Sequence, residues 1–206
     1  MWGDEYRVTI PAGRRGQWGI ERFTVTPREE QLELLRAALN PKRMMRYTPA
    51  GTYTRLVLYG GSSLHPEGQT IMSDTPDEIR DHREPIERAR GRCLINGLGI
   101  GVVLGAILKK KEVQHVTVIE NSPEVIALVA PHYVAMHPGR VDVIHADALS
   151  WKPPKGVPYN MVWHDIWTTI SGDNLPEMKR LHRTYARRCD WQGSWAYELC
   201  LRYNNI

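Results

Sequence analysis

The chain has 206 residues, which is enough for one domain with an appendage or for two small domains, and enough to bury a hydrophobic core. Its 42% hydrophobic and 24% charged residues are ordinary for a globular protein and exclude a disordered one. The net charge of +4 is spread along the sequence, so a polyanionic partner such as a nucleic acid is only weakly indicated.

Cysteine usage and the apolar runs predict the cellular setting. Cys93, Cys189 and Cys200 are odd in number and lack the spacing of metal ligands, so we expect neither a disulfide framework nor a metal site. The amino terminus has no charged-then-apolar signal pattern, and no apolar run reaches the roughly 18 residues of a membrane span. These features predict a cytoplasmic protein without a membrane partner.

Residues 1–90 predict a small β-rich extension followed by a linker helix. Extended segments and turn residues dominate it, and a segment rich in both charges precedes the glycine-rich region. The predicted strands are at about 6–10, 23–26, 52–59 and 69–72, and the predicted helices are at about 27–39 and 76–90. The leucines of the first helix form an apolar stripe, so we expect that helix to pack against the rest of the protein.

In residues 91–206, short apolar runs alternate with helix-compatible segments, which predicts a parallel sheet covered by helices on both faces. The predicted strands are at about 93–96, 116–120, 141–145, 160–164 and 194–201, and the helices at about 102–111, 123–136 and 174–188. We therefore expect an α/β, Rossmann-like fold shortened at its carboxyl-terminal end. Its last strand, from Trp195 to Leu201, would be an exposed edge that the amino-terminal strands or a second copy, in a homodimer, would cover.

A turn of alternating glycines follows the first strand of this sheet. Gly97, Gly99 and Gly101 let the backbone approach a ligand closely, and the helix that follows presents unpaired N–H groups. Glu120 ends the next strand, 21 residues after Gly99, where a carboxylate can accept both hydroxyls of a ribose. The combination predicts a nucleoside site.

Two further positions bear on which nucleoside is bound. Asp147 lies just after the third strand, where a carboxylate can take the amino group of adenine, although a turn cap would also place it there. Val102 stands where a dinucleotide fingerprint needs its third glycine, and some 90 residues precede the first strand. S-adenosylmethionine or its decarboxylated form is therefore the better expected ligand.

In these residues the chain resembles the class I S-adenosylmethionine-dependent methyltransferase superfamily, and within it the spermidine synthase-like branch. The matching segments are 94–101, 116–126, 146–148 and 159–165, within a region of similarity that covers about 91–167. Residues 72–82 vaguely resemble the hairpin and helix that precede the core in that branch. The resemblance implies that S-adenosyl-L-methionine is the cofactor.

The same resemblance implies roles for individual residues. The implied cofactor-binding residues are Asn96, Gly97, Leu98, Gly99, Gly101, Glu120, Asn121, Asp147, Ala148 and Asp165. Asp165 also falls where aminopropyltransferases keep the aspartate that helps to deprotonate the attacking amine. We predict Asp165 and His164 as catalytic residues, because methyl transfer needs the acceptor aligned and its proton removed, and histidine titrates near neutrality. A structural role is the alternative for His164.

Departures from the branch decide between activities. Ile100 and Thr168 stand where aminopropyltransferases carry acidic residues, which a multiply charged polyamine needs. Residues 165–168 do not match the tetrad of amino-directed nucleic-acid methylases. We therefore expect a methyltransferase with an unidentified acceptor. The alternatives are an aminopropyltransferase and a non-catalytic module that binds S-adenosylmethionine or a protein partner.

Overall fold

The computed structural model describes residues 3–39, 47–60 and 67–203, which form an antiparallel and a parallel sheet. The amino-terminal elements are β1 (Gly13–Arg15), β2 (Trp18–Val25), α1 (Pro27–Leu39), β3 (Gly51–Leu58), β4 (Gln69–Ser73), α2 (Pro76–Asp81) and α3 (Arg83–Arg88). The four strands are antiparallel neighbours in the order β1-β2-β3-β4. The strands predicted at about 52–59 and 69–72 are therefore confirmed, and they form an antiparallel pair.

The strand predicted at 6–10 is wrong, because side chains take the hydrogen-bonding groups that a strand ladder would use. The N–H of Val8 donates to Oδ2 of Asp74 at 3.1 Å, and the carbonyl of Ile10 accepts from Nη2 of Arg22 at 2.9 Å. Val8 and Ile10 are nevertheless buried. Their apolar pattern thus reports burial without strand pairing.

Two helix predictions need correction. The segment 76–90 is two short helices that meet at His82, because Pro85 can neither donate to the carbonyl four residues earlier nor avoid its ring clashing there. Helix α1 forms as predicted, but its stripe faces outward: Leu35 is 59% exposed and Leu39 is 79% exposed. A helical pattern shows which residues share a face and not what that face meets. The next residues, 40–46, lie outside the described residues.

The carboxyl-terminal half of the chain confirms the α/β, Rossmann-like prediction. Its strands are β5 (Gly91–Asn96), β6 (Val113–Glu120), β7 (Val141–His145), β8 (Tyr159–His164) and β9 (Cys189–Ser194). All are parallel and lie in the order β7-β6-β5-β8-β9. The order reverses beside β5, and ligands of such sheets bind at the carboxyl ends of the strands near that reversal.

The helices of this half are α4 (Val102–Leu108), α5 (Pro123–Met136), α6 (Leu175–Tyr185) and α7 (Tyr197–Tyr203). The strand predicted at 194–201 is therefore wrong. Helix α6 ends early enough for β9 to pair with β8 from residue 189 onward, and Cys200 of α7 is buried against Met178. Pairing of two copies through the outer strand β9 stays a prediction. No helix within the described ranges is long and apolar enough to cross a bilayer.

One hydrophobic core joins the two sheets. Ile20 and Leu56 of the antiparallel sheet belong to the same buried cluster as Ile100 and Val125 beside the parallel sheet. The amino-terminal strands thus lie over the helix and turns that follow β5 and β6. The division of the chain at residue 90 into two domains stays a prediction.

Asp74 ties the amino-terminal segment to β3 and α2. Its carboxylate is 1% exposed and accepts the N–H of Thr54 at 2.6 Å as well as that of Val8. We expect Asp74→Asn to lower the free energy of unfolding by about 1–3 kcal/mol, because an amide NH₂ would face a buried N–H. Urea denaturation measures this loss. The exposed Asp142→Asn is the control, and equal losses for the two variants would contradict the role of Asp74.

Candidate functional site

A cavity of about 660 Å³ lies across the carboxyl ends of β7, β6, β5 and β8. This volume is within the range of about 300–1,000 Å³ that is typical of small-molecule sites. The floor consists of residues that follow those strands: Ala146 to Leu149, Glu120 and Asn121, Gly97 and Gly99, and Asp165 to Thr168. Strands β3 and β4 and helix α2 supply the roof: Leu56, Leu58, Ile71, Met72, Glu78, Asp81 and His82.

Two of the three predicted glycines face the cavity. Gly97 and Gly99 have φ angles of +96° and +51°, and a β-carbon would collide with the carbonyl of Asp165 at the first and with Sδ of Met72 at the second. Gly101 begins α4 and lies against the ring of Tyr133 instead. Gly101 is thus not among the residues that line the cavity, and its predicted binding role stays a prediction.

The Glu120 carboxylate connects the two turns that form the middle of the floor. Its Oε2 accepts the N–H of Leu98 at 2.8 Å, and its Oε1 accepts the N–H of Ser122 at 2.8 Å. Each carboxylate oxygen can accept a second hydrogen bond, so Glu120 can still accept hydrogen bonds from the hydroxyl groups of a ribose. Leu98 contributes this N–H, while its buried side chain lies outside the cavity.

The residues after β7 and β6 form the other end of the floor. Asp147 is exposed and lines the cavity, and its Oδ1 accepts the N–H of Leu149 at 2.8 Å. The turn cap considered for Asp147 is thus present, in a side chain that also faces the cavity. Ala148 is buried beside it, and Asn121 lines the wall with its carbonyl 3.1 Å from Nε2 of His145.

Asp165 lines the opposite end of the cavity, where its Oδ2 lies 3.7 Å from Nε2 of His82. Burial, reinforced by the negative charges of Glu78 and Asp81, raises the pKa of the Asp165 carboxyl to about 7. Burial lowers the pKa of His82 to about 4. At neutral pH the imidazole is therefore uncharged, and the carboxyl group can both hold and release a proton.

His164 and Asn96 do not line the cavity, so the structure does not bring them to the other predicted site residues, and their predicted roles stay predictions. Both are fully buried, side by side on β8 and β5, and Nδ2 of Asn96 donates to Nδ1 of His164 at 2.7 Å. Nε2 of His164 lies 3.3 Å from Oε1 of Gln192, and burial lowers the pKa of His164 to about 3. His164 is thus uncharged, both of its ring nitrogens have partners inside the sheet, and its side chain does not reach the cavity.

Helix α2 contributes site residues that the sequence analysis did not single out. Glu78, Asp81 and His82 line the cavity from one side of the helix. The signal that could have found them is their spacing, because residues three and four apart share a helix face. Within the described parts of the chain, no group of His, Cys, Asp and Glu is arranged to hold a metal ion.

No family model matches the chain. Two curated relatives do, polyamine aminopropyltransferases 1 and 2 of Ralstonia nicotianae, and each is 38% identical over 94 residues. The match covers 39% of this chain, and the chain spans 18% of the length of each relative. The similarity is thus to a small part of those proteins.

Similar solved structures carry methyltransferase names. They include the 23S rRNA methyltransferase ErmE, with a TM-score of 0.44 and 19% identity over 56% of this chain and 43% of that chain. A putative methyltransferase from Escherichia coli has a TM-score of 0.44 and 20% identity over 57% and 66%. Coclaurine N-methyltransferase has a TM-score of 0.40 and 18% identity over 56% and 31%. Likeness at this level identifies no activity.

The raised pKa of Asp165 predicts a pH-dependent contribution to stability. Between the ordinary value of 3.8 and about 7, the folded protein keeps a proton that the unfolded chain has released, so this contribution falls as pH rises. We expect Asp165→Asn to remove that loss, so its stability relative to wild type should be greater at pH 7.5 than at pH 4.

Urea denaturation across this pH range measures the effect. His82 and His164, with lowered pKa values, favour the folded state as pH rises, but both are present in the two proteins. Asp173→Asn, at an exposed aspartate, is the control. A pH-independent difference between wild type and Asp165→Asn would contradict the raised pKa.

Proposed function

We propose that the chain binds S-adenosylmethionine and transfers its methyl group to an acceptor. The main support is a single cavity that crosses the ends of four strands. Glu120 lies in it beside Gly97 and Gly99, and Asp165 lies at its far end. A nucleoside donor and an acceptor can occupy the two ends of such a cavity together.

The residues on the floor fit the donor. Ala148 and Leu149 offer apolar surface for adenine beside the carboxylate of Asp147, and Glu120 suits the ribose hydroxyls. Gly97 and Gly99 leave the backbone exposed for the chain attached to the ribose. Asn121 completes the wall between the adenine and ribose positions.

Methyl transfer needs few catalytic groups from the protein. A bound donor would supply a methyl group on a sulfonium, and the neutral thioether that departs from it, S-adenosylhomocysteine, is a good leaving group. The protein has to align the acceptor and accept its proton. Asp165 suits the second task because its pKa of about 7 lies near the working pH. His82 faces the same carboxylate from the roof.

Calorimetric titration with S-adenosylmethionine tests the donor site. We expect wild type to bind it and Glu120→Gln to weaken binding by at least about tenfold, a loss of about 1.4 kcal/mol, because one ribose acceptor is removed. Glu112→Gln, at an exposed residue just before the same strand, is the control. Absence of binding to wild type would reject the proposal, and unchanged affinity in Glu120→Gln would reject the ribose role.

Aminopropyl transfer to an amine is the second candidate, and the acceptor end of the cavity favours it. Glu78, Asp81, Asp165 and Glu177 place carboxylates there, and Trp167 offers an aromatic wall that suits a cation. These groups could replace the acidic residues that the sequence lacks at Ile100 and Thr168. The two curated relatives are named as polyamine aminopropyltransferases, which agrees with this candidate.

The nucleoside product separates the two candidates. We expect S-adenosylmethionine with a mixture of amines to yield S-adenosylhomocysteine, detected by mass spectrometry, if the protein transfers methyl groups. The decarboxylated donor with a diamine would yield 5′-methylthioadenosine if it transfers aminopropyl groups. Asp165→Asn should reduce either product, because Asp165 accepts the proton in both reactions.

A further inference from the structure

The strand order fixes the direction in which a bound nucleoside must extend. Asp147 follows β7, Glu120 ends β6, Gly97 follows β5 and Asp165 follows β8, and these strands lie side by side in that order. A ligand with adenine at Asp147 and ribose at Glu120 therefore extends its 5′ substituent over the glycine turn toward Asp165. The surface above that turn decides which substituent fits.

Met72 of β4 occupies this surface. Its thioether sulfur accepts the N–H of Ile100 at 3.2 Å, and it lies so close to Gly99 that a β-carbon there would collide with it. Met72 is half-buried and packs against the core that joins the two sheets. A side chain from the roof thus contacts the backbone over which the 5′ substituent would pass.

The contact can be displaced. A thioether is a weak acceptor, but the half-buried Met72 side chain has to give up its packing against the core in order to move aside. The Ile100 N–H would form a stronger bond to a carboxylate, which is an ionised acceptor. A ligand that carries an amino-acid chain can therefore gain this N–H only after the Met72 side chain has moved.

From these contacts, and resting on the proposed donor site, we infer that Met72 determines specificity. It lowers the affinity for adenine thionucleosides with a full amino-acid chain, S-adenosylmethionine included, relative to the affinity for those with a shorter 5′ substituent. The residue thus sets the ratio of the two affinities, while Glu120 and Asp147 serve both ligands equally.

Calorimetry with 5′-methylthioadenosine and S-adenosylhomocysteine tests this inference. We expect Met72→Ala to bind S-adenosylhomocysteine at least about tenfold more tightly than wild type and to change 5′-methylthioadenosine affinity by less than about threefold. Met72→Leu retains the bulk and should keep a ratio nearer to that of wild type. Ile71→Ala, which removes an apolar side chain from the same strand and cavity, is the matched control.

An unchanged ratio of affinities in Met72→Ala would overturn the inference and leave the donor site intact. Failure of both ligands to bind wild type would instead reject the donor site itself. If Met72→Ala does not fold, the inference can still be tested on the wild-type protein. With ¹³C-methyl-labelled methionine, the NMR signal of Met72 should shift more with S-adenosylhomocysteine than with 5′-methylthioadenosine, and an equal or smaller shift would overturn the inference.

Discussion

The carboxylate of Glu120 holds the centre of the site together. It accepts N–H groups from the turn after β5 and from the start of α5, so one side chain fixes both turns relative to each other. The parallel pairing of Asn96 with Ile119 brings these turns to the same sheet edge. A carboxylate in this position organises the floor and retains acceptor positions for a ligand. The shape of the site depends on this interaction, and so would the affinity for the ligand that we propose.

Burial and neighbouring charges determine the protonation of Asp165 at the other end of the cavity. Asp165 is partly buried and lies near Glu78 and Asp81, and together these effects hold its pKa near neutrality. His82 stays uncharged in the same buried surroundings and does not offset them. The acceptor end can thus take up a proton or a cation at little cost, and both proposed reactions need this property.

The antiparallel sheet gives the cavity its roof. Because its core is continuous with that of the parallel sheet, β4 and α2 are held above the glycine turn, and Asp74 secures them to the amino-terminal segment. The roof brings Met72 to the backbone of the turn and His82 to Asp165. The ligand selection and the proton transfer that we propose would therefore combine residues from both sheets.

Strands β5 to β8, the glycine turn and the acidic residues Glu120, Asp147 and Asp165 could be predicted from the sequence. Apolar runs that end in polar residues mark strand ends, and parallel strands end at one edge of the sheet. The tertiary structure was needed to show that His164 and Asn96 are buried, since successive side chains of a strand face opposite sides and the pattern does not show which side meets the cavity. It also decided the place of β9, the exposure of α1, and the contribution of Met72 and α2 to the site. These depend on contacts between segments distant in the chain, which local patterns do not encode.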